Sequence, residues 1–341
     1  IDFVRDLTYW LSISGRSKIF LEGMICSRDI IYFLLVIFMF LAFAFIKLQG
    51  ERLKSSTLKT VGSYLIVFVF VLVGGYISSR PVMIVYYDAT ATKLNTLTKN
   101  SQEIVKKIDG GLTLTTYVNL LDDTWYHASP SSKNYDMDRF ERYVRFKPDM
   151  KIEYVYYYGP GTSSHYDKVY KGLGPKERML KVCEGYDYNP DMFISAEEVQ
   201  KVEDISAENG RIVRVFKREN GQKAYLRIYN DMYVHPFESE ITAALKTLED
   251  KSPLIAFVTG HGERACDDFG DRGYAAFAKN PTFRNALINQ GFDIAEVDLQ
   301  HEIPSNITIL LIADVRSPFT PEEMNTLNTY IAKGGNLIIA G

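Results

Sequence analysis

Hydrophobic positions are distributed unevenly along the chain. Two runs without a charged residue lie near its start, at 30–46 and 60–79, whereas later apolar segments are short and separated by polar ones. A helix of about 20 apolar residues spans the core of a bilayer, and about 17 is the short limit. A pair of buried core helices would need amphipathic partner segments, and the neighbouring sequence offers none. The pattern therefore predicts two transmembrane helices, at about 30–46 and 60–80.

Residues 47–59, between the two runs, are rich in Lys and Arg. Cytoplasmic loops of membrane proteins carry an excess of these residues. We therefore expect a multi-pass protein of the bacterial inner membrane in which loop 47–59 is cytoplasmic. The chain after about residue 80 is then expected to be periplasmic.

Shorter alternating segments predict a thioredoxin-like α/β subdomain over 81–250. The segments follow the order β-α-β-α-β-β-α, with a helix at 137–147 and a hairpin that turns at Asn220 and Gly221 in a type I′ turn. The Cys-x-x-Cys motif of thiol redox chemistry is absent. We therefore expect the fold without the redox activity.

Over 251–341, apolar strands alternate with helical segments, which predicts βαβ units and a parallel sheet. Residues 283–292 are predicted to form one of the helices. Another is expected to begin after Thr320, with Thr320 as its N-cap and Glu323 completing a capping box. The chain stops directly after a predicted strand, so we expect it to be part of a longer polypeptide.

Composition and motifs narrow the possible chemistry. The formal net charge of -3 gives no sign of a nucleic-acid-binding surface. Cys26, Cys183 and Cys266 are far apart, so neither a disulfide framework nor a metal site is predicted. The sequence contains no GxxxxGK[ST] nucleotide motif and no GxSxG elbow. No cofactor is expected in this chain.

One stretch nevertheless has the residue types of an active site. Four residues follow the predicted strand 253–258: Gly260, His261, Gly262 and Glu263. Parallel sheets place ligands at the carboxyl ends of their strands. His261 could act as a base oriented by Glu263, with Cys266 as a nucleophile, but the carboxylates around Cys266 would raise the pKa of its thiol. We predict no catalytic residue, and the four residues remain candidates for binding a ligand or partner, or for a purely structural turn.

The beginning of the chain resembles the end of an ABC-2 type transporter permease. Such permeases carry a Gly, then an Arg-Asp pair and an aromatic residue that lead into the last membrane span. The matching residues here are Gly23, Arg28, Asp29 and Tyr32. Residues 24–27 depart mildly from the family pattern.

The following part resembles the gliding-motility protein GldG and its relatives, which are auxiliary components of ABC transport systems. The juxtamembrane pattern of that family is matched by five residues: Asp88, Thr90, Lys93, Thr96 and Leu97. Three further family segments are matched in order, at 238–248, 260–263 and 317–339. The resemblance therefore covers nearly the whole chain.

The resemblance implies a GldF-like permease fused to a GldG-like part. Residues 1–59 would be the end of the permease, 60–80 the second transmembrane helix, and 251–341 an incomplete domain similar in fold to class I glutamine amidotransferases. The amidotransferase motif Gly-x-Cys-x-Gly has no match, so that activity is not implied.

The implied partners are a GldA-like P-loop ATPase, which would carry ATP and Mg on a separate subunit, the lipid membrane and a second permease copy in a homodimer. The periplasmic part would bind an unknown substrate or cell-envelope protein. Two alternative functions are a membrane-anchored hydrolase or transferase that uses the His261 turn, and a structural scaffold of the envelope or gliding machinery.

Overall fold

The computed structural model describes residues 17, 20–53, 56–80, 83–93, 95–160 and 165–341. The chain forms two compact units, residues 1–97 and 98–341. Residues 81–97 thus belong with the two apolar runs, and both predicted α/β parts lie in one unit. Most of the stretch before Phe20 in the predicted permease end lies outside the described residues.

The first unit contains two long helices, α1 (Ser27–Leu53) and α2 (Thr57–Ser78). They pack antiparallel, since the ring of Phe38 contacts Phe70 and that of Phe43 contacts Tyr64. Both helices extend beyond the apolar runs. The segment predicted as loop 47–59 is therefore mostly helical among the residues described, because Lys, Arg, Glu and Leu are good helix formers.

Almost none of the residues in the two apolar helices is buried. A core helix of a soluble protein would be covered by other elements, whereas α1 and α2 expose large apolar side chains along their length, such as Leu41 and Ile66. Both are long and apolar enough to cross a bilayer. These two helices indicate that the chain associates with a membrane.

Two short strands flank the helical pair. Strand β1 (Met24–Cys26) directly precedes α1, and β2 (Tyr86–Asp88) follows α2; the two pair antiparallel. The strand predicted after the second apolar run thus pairs within the first unit and does not join an α/β sheet.

The second unit begins with a five-stranded sheet of order β5-β4-β3-β6-β7. Strands β3, β4 and β5 are parallel to one another. Strand β6 is antiparallel to its neighbour β3, and β7 is antiparallel to β6. The elements of this part are α3 (Lys99–Lys107), β3 (Leu112–Asn119), α4 (Lys133–Asp138), α5 (Glu141–Val144), β4 (Lys151–Tyr158), α6 (His165–Val169), α7 (Pro175–Tyr186), β5 (Ile194–Ser195), α8 (Ala196–Val202), β6 (Val213–Arg218), β7 (Lys223–Arg227) and α9 (Glu238–Lys246). Apolar clusters cover both faces of the sheet.

Two local predictions in this part differ from the structure. The helix predicted at 137–147 is interrupted between α4 and α5. The predicted hairpin exists, but its type I′ turn is wrong: Gly221 has a φ of 88°, whereas Asn220 is not among the residues with positive φ. Because the amide of Gly221 donates to Arg218 O, the chain forms a tight turn that ends in a left-handed glycine.

The second sheet has the order β11-β10-β8-β9 and is entirely parallel, as predicted. Its elements are β8 (Leu254–Val258), α10 (Ala275–Ala278), β9 (Asp293–Val297), β10 (Ile309–Ala313), α11 (Pro321–Ala332) and β11 (Asn336–Ala340). The predicted start of α11 is confirmed, since Thr320 Oγ1 accepts from the amide of Glu323 and the Glu323 carboxylate accepts from the amide of Thr320.

The helix predicted at 283–292 is wrong. That segment contains one 3-10 turn, Leu287–Asn289. The amide group of Asn289 donates to the carbonyls of Asn280, Pro281 and Phe283, and that of Gln290 donates to Arg284 O. Side-chain amides therefore bond local carbonyls, which competes with the backbone pairing of a helix.

Candidate functional site

The His261 turn, defined as residues 260–263, follows β8 at the carboxyl edge of the parallel sheet. Gly260 and Gly262 have φ of 120° and 74°, values that favour glycine. A Cβ at Gly262 would lie 2.9 Å from the Cβ of Arg316, so the turn approaches the segment after β10 closely. Glycine at this position permits both the backbone conformation and the close approach.

The ring of His261 contacts the first turn of α11. Its Nε2 lies 3.1 Å from a carboxylate oxygen of Glu323, and the ring packs edge-on against Phe319 with centroids 4.8 Å apart. The carboxylate of Glu263 bends back and accepts from the amide of His261 at 2.6 Å. The side chains of the turn are thus engaged with the turn itself and with the neighbouring helix.

The backbone of the turn makes a second connection to the segment after β10. The carbonyl oxygen of His261 accepts from the amides of Arg316 at 2.8 Å and Ser317 at 3.2 Å. These bonds join the chain leaving β8 to the chain leaving β10. Of the three interpretations open from the sequence, a role in holding its own domain together has direct contacts in its favour.

These contacts stabilise the ionised form of the Glu323 carboxylate. Hydrogen bonds from the backbone and side chain of Thr320 and the neighbouring His261 lower the pKa of Glu323, and they outweigh the opposing effect of partial burial. Glu323 is therefore ionised at neutral pH and can accept a hydrogen bond from the His261 ring.

Cys266 does not have the environment of an activated nucleophile. It is fully buried, and its thiol donates to Glu296 on β9 at 3.2 Å. Burial raises the pKa of this thiol, and Glu296 raises it further while Lys279 lowers it. Among the described residues, no hydroxyl or thiol lies within hydrogen-bond distance of the His261 ring. The chemistry expected of a base and nucleophile pair is not assembled here.

A cavity of about 840 Å³ lies at the opposite edge of this sheet. It is lined by mostly polar residues before β10, in α11 and at the start of β11, including His301, Thr308 and Asn336. This is the amino-terminal edge, whereas open α/β sheets bind ligands at the carboxyl edge. The cavity contains none of the candidate residues predicted from the sequence.

The two juxtamembrane motifs of the sequence meet in the first unit. The carboxylate of Asp88 accepts from the amide and hydroxyl of Thr90 and from the amide of Asn95. Gly23, with φ of 87°, accepts from the amide of Ala89 at 2.8 Å, and a Cβ there would lie 2.8 Å from the Thr90 methyl group. Gly23, before α1, and the motif after α2 are therefore hydrogen-bonded to each other.

The remaining motif residues make contacts within their own motifs. The ammonium of Lys93 donates to Asp88 O, and the amide of Thr96 donates to Lys93 O. Arg28 pairs with the buried Asp29 at 3.4 Å, and Leu97 is buried. The sequence placed these residues in two separate motifs; their pairing through β1 and β2 became visible only in the structure.

Sequence reasoning missed three charged clusters of the second unit. They are centred on Asp136, which is buried with Arg214; on Arg284, which links the two sheets; and on Asp314, which three arginines surround. None has a recurrent spacing, because the partners come from distant segments. The one sequence feature that could have indicated any of these clusters is an acidic residue directly after a predicted strand, and only Asp314 has that position.

Replacing Gly262 by Ala is expected to destabilise the second unit more than replacing Gly334. Both glycines have left-handed φ, 74° and 86°, so each substitution costs about 1–2 kcal/mol of backbone strain. Nothing lies within 4 Å of a Cβ at Gly334, whereas at Gly262 the added methyl meets Arg316. We expect Gly262→Ala to lose about 1–3 kcal/mol more, through overpacking. Equal losses of unfolding free energy in urea would contradict the close approach.

Among the described residues, no group of three or more His, Cys, Asp or Glu is placed to hold a metal ion. Residues 252–341 match the family described as an ABC-type uncharacterized transport system. No curated protein and no solved structure matches the chain. The matched range contains the whole parallel sheet and the His261 turn, and it indicates an auxiliary component of an ABC transport system.

Proposed function

We propose that this chain is a membrane subunit of an ABC transport system, in which the end of an ABC-2 type permease is fused to a GldG-like auxiliary part. The family match over residues 252–341 is the observation that carries the proposal. The exposed apolar helices α1 and α2 support it, because they attach the auxiliary part to a membrane. The permease identity rests on the motif residues Gly23, Arg28 and Asp29. Of these, Gly23 packs against the juxtamembrane motif that follows α2.

In the proposed topology, the connection between α1 and α2 faces the cytoplasm and the second unit lies in the periplasm. The basic residues near this connection favour that orientation. All three native cysteines are buried, so single cysteines introduced at the exposed positions Glu51 and Lys176 can be labelled with little background. In intact spheroplasts, an impermeant maleimide should label Lys176→Cys and not Glu51→Cys; the reverse pattern would refute the orientation.

We further propose a thioredoxin-like fold for the first sheet and a fold similar to class I glutamine amidotransferases for the second. The order β4-β3-β6-β7, with a parallel pair followed by two antiparallel strands, supports the first assignment. The all-parallel four-stranded sheet supports the second. In the proposed system both parts bind a substrate or an envelope protein, and neither catalyses a reaction.

ATP hydrolysis is assigned to a separate P-loop subunit, and two copies of the chain supply the two membrane halves. Purification of the tagged chain from its native membranes in mild detergent tests this directly. We expect a P-loop ATPase to co-purify and the ATPase activity of the fraction to depend on that subunit. Recovery of the intact chain without any ATPase, after crosslinking in the membrane before extraction, would refute the transport role.

A further inference from the structure

Three arginine side chains meet one carboxylate at the carboxyl edge of the parallel sheet. The guanidinium nitrogens of Arg264, Arg272 and Arg316 lie 3.2, 2.8 and 3.6 Å from the same oxygen, Oδ2 of Asp314. Arg264 and Arg272 follow β8, whereas Asp314 and Arg316 follow β10. The arginine cluster, as we call these four residues, therefore forms where two adjacent strands end.

The position of the arginine cluster in the sheet is that of a ligand site. Strands β8 and β10 are neighbours, but the chain leaves β8 towards β9 on its other side. Such a topological switch point opens a crevice at the carboxyl ends of the strands, and open α/β sheets bind their ligands there. The amino end of α11 at this edge is already occupied by Thr320 and Glu323.

The charges in the arginine cluster are not balanced. Three guanidinium groups face one carboxylate, which leaves a surplus of two positive charges. Each guanidinium has five N–H donors. Besides Asp314, the described acceptors are Asp271 O for Arg264 and Gly262 O for Arg272. The side chains of Arg272 and Arg316 are 40% and 60% exposed, so donors remain accessible to a ligand.

Three surface carboxylates of the same segment weaken the long-range field of the arginines: Asp267, Asp268 and Asp271. One of them, Asp268, is engaged with the amide of Gly270. Recognition of an anion here therefore depends on short-range hydrogen bonds from the guanidinium groups. The geometry of these bonds selects the anion, and long-range electrostatic attraction contributes less.

Two further features of the crevice are independent of the arginines. Asp314 has a φ of 53°, in the left-handed region, and residues with this backbone conformation cluster at ligand sites. Beside it, Nδ1 of His261 and Oε1 of Glu263 lie 3.8 Å apart, buried and without a hydrogen-bond partner in the part of the chain that the structure describes. Buried polar atoms are nearly always paired. A carboxylate oxygen accepts hydrogen bonds, so the group expected there is a donor such as water, and this pair does not itself recognise an anion.

We propose that the arginine cluster binds a phosphoryl group. Guanidinium forks bind phosphate oxygens through paired hydrogen bonds, and the two negative charges of a phosphate monoester match the surplus charge of the cluster. Asp314 holds the three arginines together when the anion is absent and competes with it for their donors. This inference goes beyond the transport role and does not depend on it, since it rests only on contacts around the parallel sheet.

The phosphoryl group could come from a soluble phosphate or from a lipid headgroup. Isothermal titration of the full chain in detergent micelles, at constant ionic strength, uses inorganic phosphate, dihexanoyl phosphatidic acid and dihexanoyl phosphatidylcholine as probes. Saturable binding of phosphate, or of phosphatidic acid in preference to phosphatidylcholine, is the expected result. Tighter binding of phosphatidic acid than of phosphate identifies the lipid as the source, and the opposite order identifies a soluble ligand.

Single variants identify the site. Arg264→Gln and Arg316→Gln should each weaken binding about tenfold, because each removes a charge-assisted hydrogen bond to the anion, and tenfold corresponds to about 1.4 kcal/mol. The matched control is Arg142→Gln, at an exposed arginine elsewhere in the same unit. Asp314→Asn should tighten binding, because it removes the competing charge and Asn tolerates left-handed backbone.

The same measurements can overturn the proposal. Absence of saturable binding to every probe would do so, as would equal affinity in Arg264→Gln, Arg316→Gln and Arg142→Gln. Thermal melting shows whether each variant folds. Arg316 is the most exposed of the three arginines, so its variant keeps the test available if Arg264→Gln does not fold.

Discussion

Replacing Asp136 by Asn is expected to lower the unfolding free energy of residues 98–341 by about 3–5 kcal/mol. Asp136 and Arg214 are fully buried, and Arg214 Nη2 donates to the Asp136 carboxylate at 2.6 Å. The same carboxylate accepts from the hydroxyl of Tyr154 at 2.8 Å. Asn keeps the shape but removes the charge, so the guanidinium of Arg214 would remain in the core without a counterion.

The surroundings of Asp136 and Arg214 explain why the expected loss of unfolding free energy is large. The Nε and Nη1 atoms of Arg214 have no hydrogen-bond partner among the described residues, so the guanidinium relies on Asp136. His235, whose Nδ1 lies 3.7 Å from Asp136, can be neutral or positive and so cannot supply the missing negative charge. Burial and the nearby Arg214 lower the pKa of His235 to about 3, so its ring is neutral near pH 7. No second anion is present in these contacts to replace the carboxylate.

Urea unfolding of the full chain in detergent, followed through Trp125, measures this effect. Trp125 is buried in the second unit, and replacing Trp10 by Phe in every variant leaves it as the only tryptophan. The double variant Asp136→Asn/Arg214→Met should recover much of the loss, because an apolar core tolerates a missing ion pair better than an unpaired charge. Asp167→Asn, which breaks a partly exposed pair with Arg178, is the control and should cost at most about 1 kcal/mol. A loss no larger than that of the control would contradict the role of Asp136.

Replacing Arg284 by Met is expected to cost about 3–5 kcal/mol and to loosen the contact between the two sheets of the second unit. Arg284 precedes β9, and it donates to Glu240 at 2.7 Å, to Asp231 at 2.6 and 3.0 Å, and to His235 O at 3.0 Å. These three partners all follow β7, in the part of the unit that carries the first sheet. Because Glu240 is buried, the Met variant leaves its carboxylate without a cation.

Packing adds to the charge contacts of Arg284. Its guanidinium lies 4.5 Å from the ring centroid of Tyr229 and 4.2 Å from that of Phe237. Arg284→Lys should therefore recover only part of the stability, since an ammonium retains the charge but not the planar fork. Arg142→Met at an exposed position is the control for loss of an arginine. Equal unfolding free energies for the wild type and Arg284→Met would exclude a linking role.

Acid should reduce the effect of the Arg284 substitution. Hydrogen bonds from Arg284 lower the pKa of Asp231 to about 2, whereas the pKa of Asp in an unfolded chain is about 3.9. A depressed pKa contributes stability that is fully present above about pH 4 and is lost as the pH falls towards 2. The difference in unfolding free energy between the wild type and Arg284→Met should therefore be smaller at pH 3 than at pH 7.

Local signals in the sequence predicted most strands and several helices of the second unit. The capping pair of Thr320 and Glu323 located the start of α11, and continuous apolar runs located β8 and β10. Each of these signals acts over a few residues, through hydrogen bonds at a helix end or through burial of consecutive side chains. The prediction for segment 283–292 failed because the Asn289 and Gln290 side chains bond nearby carbonyls and Arg284 bonds distant carboxylates, and helical periodicity indicates neither.

The candidate site likewise has features that local sequence signals predicted and features that only the folded structure revealed. The sequence identified His261 and Glu263 as unusual residues after a buried strand, and their position at the carboxyl edge followed from the parallel sheet. It did not identify Glu323 as the partner of the ring, nor the three arginines around Asp314. Those contacts require β8 and β10 to be neighbours, which depends on the crossing direction of the chain rather than on any local pattern.

The sequence by itself determined two apolar helices long enough for a membrane, an all-parallel sheet over the last part of the chain, and the glycines of the His261 turn. These follow from hydrophobic burial and local backbone geometry, which neighbouring residues specify. The tertiary structure alone decided which charges pair, as for Asp136 and Arg214, which are 78 residues apart. A charge costs free energy to bury wherever it lies, but only the folded topology selects the group that compensates it.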